Sequence, residues 1–147
     1  SGTVGAAIAG RRLSYVPVAF SVAAFAPKNL EFIARRAAII TEQAMSLPAD
    51  KNLLINVNFP DLPESKIAGI KITTLGKRGI PDLPDLIRKN KSSSFYSFGP
   101  SGALMPDQVN TDMQAIKDNY ISISILDYNL TATDSDWQIF ETVFTDA

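Results

Sequence analysis

The first ten residues, Ser1-Gly2-Thr3-Val4-Gly5-Ala6-Ala7-Ile8-Ala9-Gly10, pair two hydroxyls with side chains too small to keep a ligand off the backbone. Residues 4–12 read as a helix behind them. A helix start presents unpaired N–H groups and the positive end of its dipole, which together suit an anion such as phosphate. The competing reading is that the glycines and alanines let the helix lie flat on a sheet. Gly2, Gly5 and Gly10 do not make a dinucleotide fingerprint, because the tight G-x-G spacing is absent and no acidic residue follows at the ribose position. The Gly-Lys-Ser/Thr ending of a P-loop is also missing.

Carboxylates come closest in the pairs Asp82 and Asp85, Asp107 and Asp112, and Asp134 and Asp136. Such pairs serve as general acid and base or grip Mg²⁺. Each also falls in a turn or at a helix start, where aspartate accepts backbone hydrogen bonds. Lys77-Arg78 and the basic group at 88–91 read either as solvated turns or as a rim attracting an anionic substrate. Phe95, Tyr96 and Phe98 offer rings for a nucleobase to stack on, or else anchor their own segment.

Composition removes other chemistries. The 147 residues contain no histidine and no cysteine, so a Ser-His-Asp triad, a histidine-bound zinc, thiolate sites and disulfides are excluded. Any metal held here has to be a hard cation on oxygen and amide ligands, Mg²⁺ or Mn²⁺. A formal net charge of −1 gives no electrostatic case for nucleic acid or for a membrane surface. No apolar run approaches the ~20 residues of a membrane span, and the chain opens without a basic segment leading into an apolar one. The length fits one domain.

The elements that position these residues follow from periodicity. Residues 16–24 are almost unbroken in apolar character, as in a parallel strand covered on both faces. From Pro27, a stripe of Leu30, Ile33, Ala34, Ala37, Ile40, Thr41 and Ala44 marks a helix, ended by Ser46-Leu47-Pro48. Strands are predicted at 52–59 and 67–75, with Gly76-Lys77-Arg78-Gly79 turning the chain. Residues 80–107 thin into prolines, serines and glycines and are expected to form an arm or hairpin. Thr111-Asp112-Met113-Gln114 has the form of a capping box for a short helix to Asn119. In the following strand Ile121, Ile123 and Ile125 lie on a drier face, Tyr120, Ser122 and Ser124 on a wetter one. Ser135-Asp136-Trp137-Gln138 forms a second capping box before a final helix carrying Trp137, Ile139, Phe140, Val143 and Phe144.

The opening stretch resembles the Ser-Gly-Thr-Val-(Gly/Ala)-Ala-Ala segment of the SurE family, metal-dependent nucleotidases also called stationary-phase survival proteins. Further stretches resemble the family in its own order: Leu54-Ile55-Asn56-Val57-Asn58-Phe59-Pro60, Gly69-Ile70-Lys71-Ile72-Thr73-Thr74, Thr111-Asp112, and Tyr120-Ile121-Ser122-Ile123-Ser124-Ile125-Leu126 with Leu130-Thr131. The resemblance implies a three-layer, Rossmann-like α/β fold, incomplete in this chain. Residues 1–60 are then the rest of the α/β core, and 61–147 carry the hairpin, the arm and C-terminal oligomerisation elements. It implies hydrolysis of nucleoside 5′-monophosphates, with 3′-monophosphates and short polyphosphate as further substrates. One divalent metal per subunit, Mg²⁺ or Mn²⁺, is expected on residues upstream of Ser1, with no metal ligand or catalytic residue in this chain. Ser1, Gly2 and Thr3 are expected to bind phosphate, with Tyr96 and Asp112 at the active-site rim. The implied partners are the nucleotide and further copies of the chain, as a homodimer or homotetramer that exchanges C-terminal elements about Asp127-Tyr128-Asn129, with no nucleic acid or membrane partner. The implied location is the cytoplasm. The natural protein is expected to extend N-terminally by roughly 100 residues, the size of a small domain, and the 147 residues alone to be inactive. The alternative is a non-catalytic oligomerisation module. Two positions depart from the family pattern: Ala9 stands where glutamate is usual, and Tyr96-Ser97 where a Tyr-Trp pair is usual.

Overall fold

A single four-stranded sheet forms the centre of the computed structural model, which describes residues 2–12, 14–48, 52–99, 102–106, 108–131 and 137–145. Its strands are β1 (Val18–Val22), β2 (Leu53–Phe59), β3 (Gly69–Thr73) and β6 (Tyr120–Asp127), in the order β1-β2-β6-β3. β1 runs parallel to β2, with Phe20 beside Val57. β6 is antiparallel to β2, with Asn56 opposite Ser124, and β3 runs parallel to β6, with Thr73 beside Ser124. Two of the four strands thus come from beyond residue 60.

Alternation divides this sheet into two unlike faces. One carries Val18, Phe20, Val22, Ile55, Val57, Phe59, Ile121 and Ile123, and packs with helix α2 (Leu30–Met45) into the main core. Ile33, Ile40 and Ala44 are the buried part of the expected stripe; Leu30, Ala34 and Thr41 are exposed. Val57 and Phe59 are fully buried, and the Phe20 and Phe59 rings lie 6.2 Å apart. Each such side chain contributes about 1.5–3 kcal/mol by leaving water.

The start of α2 is closed from a distance. Asn29 makes no cap through its own side chain. Instead the Asp61 carboxylate, just past β2, accepts from the Lys28 and Asn29 backbone N–H groups and from Asn29 Nδ2, at 2.9–3.0 Å. The Asn29 side-chain bond first, then the Lys28 backbone bond, holds the Asp61 carboxyl below its usual range.

The opposite face carries Ser21, Asn56, Asn58, Thr73, Ser122 and Ser124. Here the expectation of a wetter face is corrected: Ser122 and Ser124 are fully buried. Their hydroxyls meet Thr73 Oγ1 across the strand boundary at 2.7 and 2.9 Å, so polarity is satisfied without water. The drier face also differs from its expectation, since Ile121 is buried but Ile125 is exposed.

Helices α1 (Gly2–Ala9) and α3 (Asp112–Lys117) lie on this polar face, giving three layers. α1 begins two residues earlier than predicted, and from Gly10 to Arg12 it tightens into a 3-10 turn, a common helix ending. At α3, Thr111 Oγ1 accepts from the Gln114 N–H at 3.2 Å, but the Gln114 side chain turns forward to Asp118. Only half of the capping box forms. Asn119, at φ 66°, ends the helix in the left-handed conformation that asparagine tolerates.

Between β3 and α3 the chain leaves the sheet as an arm. β4 (Asp85–Lys89) and β5 (Ser94–Ser97) pair as an antiparallel hairpin whose residues are all exposed. Asn90 Oδ1 closes its turn by accepting from the Ser92 and Ser93 N–H groups. At the arm's base Gly79 N–H donates to Ala103 O at 2.8 Å and Met105 N–H to Lys77 O at 3.2 Å. Gly102 there adopts φ +80°, and a Cβ on it would lie 2.2 Å from Gly79 O, so no other residue fits. The final helix α4 (Trp137–Thr145) exposes Trp137, Phe140, Val143 and Phe144. Ser135 and Asp136 of its expected capping box lie outside the described residues.

Candidate functional site

Between α1, the polar sheet face and α3 lies a cavity of about 550 Å³, with Val4, Ile8, Ser21, Asn56, Asn58 and Asp112 among its walls. A neighbouring cavity of about 250 Å³ shares Asn58 and Asp112 and adds Ala23, Arg78, Met113 and Ile116. The larger cavity runs along the sheet from Leu54 and Asp127 to Ser21 and Asn58, and the smaller lies by Ala23 and Asn58, toward the ends of β1 and β2; ligands in α/β sheets bind at the carboxyl ends of parallel strands. The chain turns back between α1 and β1, so the start of α1 lies toward this same end, and Val4 and Ser21 line one cavity.

Of the residues expected at the phosphate site, Ser1 lies outside the described residues, and Gly2 and Thr3 begin α1 and are both exposed. A Cβ added to Gly2 or Gly5 would meet nothing within 4 Å. Close packing against the described residues is therefore not what these glycines serve. Ala9 is exposed near the end of α1.

Asp112 is brought to the cavity that Val4 lines. Its Oδ1 accepts from the Gly76 and Met113 N–H groups, each at 2.8 Å, and its own N–H donates to Thr74 O at 2.9 Å. These bonds fix the carboxylate, and among the described residues Oδ2 has no hydrogen-bond partner. Gly76 makes that approach possible, because a Cβ there would crowd Met113 Sδ at 3.2 Å and Asp112 Oδ1 at 3.3 Å.

Tyr96 is not brought to this site. It lies half exposed on β5 and lines neither cavity. Asp82 and Asp85 sit on the exposed arm, while Asp107, Asp134 and Asp136 lie outside the described residues. Arg78, by contrast, reaches the smaller cavity. Its Nη1 donates to Gly102 O at 3.1 Å, and among the described residues no carboxylate pairs with it.

Asn56 and Asn58 belong to no functional motif recognisable in the sequence. Among the described residues neither side-chain amide has a hydrogen-bond partner, and both line the larger cavity. The available signal was their spacing: two asparagines two positions apart in an otherwise apolar strand must share a face.

Residues 1–82 match the sequence profile of the family described as Survival protein SurE. A protein of Trichormus variabilis named 5'-nucleotidase SurE is 36% identical over 140 residues, covering 89% of this chain and 53% of that relative. A 5'/3'-nucleotidase SurE of Wigglesworthia glossinidia brevipalpis is 33% identical, covering 89% of this chain and 52% of its own length. The crystal structure of the SurE protein from Aquifex aeolicus superposes with a TM-score of 0.69 at 26% identity, over 97% of this chain and 56% of that one. The chain spans about half the length of the curated relatives it matches.

Proposed function

The chain belongs to the SurE family, and from that premise we propose that the natural protein is a metal-dependent phosphomonoesterase acting on nucleoside 5′-monophosphates. Nucleoside 3′-monophosphates and short polyphosphate are further substrates in this reading. The observation that carries it is the small-residue start of α1, open to space, at the carboxyl ends of β1 and β2 and on a cavity with Asn58 and Asp112. The backbone N–H groups at Gly2 and Thr3 and the hydroxyls of Ser1 and Thr3 hold the phosphoryl group. With no histidine among these 147 residues, proton transfer falls to water, to carboxylates or to residues upstream of Ser1.

Among the described residues, the donors on the larger cavity do not by themselves make a Mg²⁺ or Mn²⁺ site. The larger cavity offers Asp112 with one oxygen already engaged, Asp127 at its wall, and neutral amides. Among the described residues no three acidic side chains converge on one point. In this reading the metal is held by residues upstream of Ser1. An upstream portion is also supported by β1, an apolar strand with one strand neighbour among the described residues. Phosphate released from AMP or GMP by the natural protein, and abolished by chelation, is the expected result. Release that persists after thorough chelation refutes the metal requirement. No release from any nucleotide favours the non-catalytic module.

Residues 80–147 supply a subunit interface in this reading, forming a dimer or tetramer in the cytoplasm. Leu86, Ile87, Phe95 and Phe98 on the arm and Trp137, Phe140 and Phe144 on α4 are exposed together, more apolar surface than a free terminus ordinarily shows. Among the described residues no helix is long and apolar enough to cross a membrane. Sedimentation of the natural protein with and without residues 128–147 tests the exchange. A stable monomer at micromolar concentration, or an oligomer indifferent to the truncation, rules it out.

A further inference from the structure

We infer that Asp112, with Asn58 beside it, recognises the sugar hydroxyls of the substrate and so separates nucleotides from simpler phosphate esters. The inference rests on the phosphomonoesterase reading and names the part of the substrate that this cavity reads. Asp112 and Asn58 line both cavities and so stand where the two meet. Val4, in the first turn of α1, lines the larger cavity together with Asp112, so a phosphoryl group held at that helix start can place its organic portion toward Asp112.

The chemistry of the carboxylate selects the ligand. A carboxylate accepts hydrogen bonds and donates none, so it repels phosphate and seeks a donor. Oδ1 is engaged by Gly76 and Met113. Oδ2 is therefore the atom left to accept, aimed by a fixed plane rather than by a mobile side chain. Ribose offers vicinal hydroxyls as donors, and the free amide of Asn58 can accept from one or donate to its oxygen. Arg78, on the wall of the smaller cavity and tied to Gly102 O, offsets the Asp112 charge so that an anionic ligand is not driven out. The arm's base sets that placement through the Gly79–Ala103 and Met105–Lys77 bonds.

Calorimetric titration of the natural protein with adenosine and with 2′,3′-dideoxyadenosine tests this without any turnover. Adenosine is expected to bind roughly tenfold more tightly, the loss typical of leaving one placed acceptor unmet. Asp112→Asn keeps a carbonyl oxygen for Gly76 and Met113 but replaces the free acceptor with a donor. It should bring the ratio toward one. Equal affinities in the unaltered protein overturn the inference, and so does a ratio unchanged in a D112N variant with a native thermal melt. If D112N melts early, the comparison of the two nucleosides on the unaltered protein decides alone. Hydrolysis of p-nitrophenyl phosphate, which has no sugar, tests the parent reading separately. A protein that cleaves it yet binds both nucleosides equally keeps the phosphatase reading and loses this one. A protein that cleaves no ester yet prefers adenosine keeps the Asp112 site and loses hydrolysis.

Discussion

The two faces of the sheet are built from the same strands yet do different work. Toward α2, Val57, Phe59 and Ile121 bury apolar surface against Ile33 and Ile40. Toward α1 and α3, the neighbouring positions on those strands are Asn56, Asn58, Ser122 and Ser124, and a cavity remains open. Burying polar groups is costly unless each is paired. The α1 face meets that cost at Thr73, Ser122 and Ser124 and leaves the two asparagines for something else. The contrast sets a packed apolar core on one face against an open cavity on the other, and the proposed ligand chemistry belongs to the second.

The largest expected effect is on the α2 face. Phe59→Ala should destabilise the fold by about 3–5 kcal/mol, seen as a lower urea midpoint at unchanged slope. A loss under 1 kcal/mol removes that face from the stability account. Thr73→Val should cost about 1–3 kcal/mol, because Ser122 and Ser124 lose their shared partner in a dry site. Adding Ser122→Ala and Ser124→Ala should recover part of it, since an apolar trio leaves no orphaned hydroxyl. Failure to recover means the hydroxyls do more than satisfy one another.

Next comes Thr3→Val in the natural protein. It should weaken phosphate or vanadate binding roughly tenfold, since bonds to charged groups are the stronger ones, and leave the urea midpoint in place. Unchanged affinity in a folded variant reduces the opening stretch to a packing device. The smallest effect belongs to Asp61. Its folded carboxyl lies below its unfolded value, so its contribution is present above the unfolded pKa and is lost as pH falls through the folded one. Asp61→Asn should flatten that acid limb of a stability–pH profile, and an identical limb dismisses the clasp.

These faces were unequally legible in the sequence. The α2 face was readable in outline, since helical and strand periods picked out Ile33, Ile40, Ala44 and Ile121, although Leu30, Ala34, Thr41 and Ile125 on the same stripes are exposed. On the other face, periodicity found the polar positions of β6 but misjudged their surroundings. Ser122 and Ser124 look solvated until Thr73, 49 and 51 residues away, is placed beside them. Asp112 was visible through its Thr-Asp pair, whereas Asn56 and Asn58 were hidden inside an apolar strand whose face assignment needs the neighbouring elements. The distant clasp of Asp61 on α2 leaves no local pattern at all.

In the proposed function the polar face of the sheet is the ligand face. Amide chemical shifts of the natural protein, followed while inorganic phosphate is titrated in, test that most directly. Perturbations should gather at Gly2, Thr3 and Val4 and extend to Ala23, Asn58 and Asp112, while Ile33, Ile40 and the hairpin at 85–97 stay still. Saturable shifts confined to the α2 face or to the arm, or none at the start of α1, would contradict it.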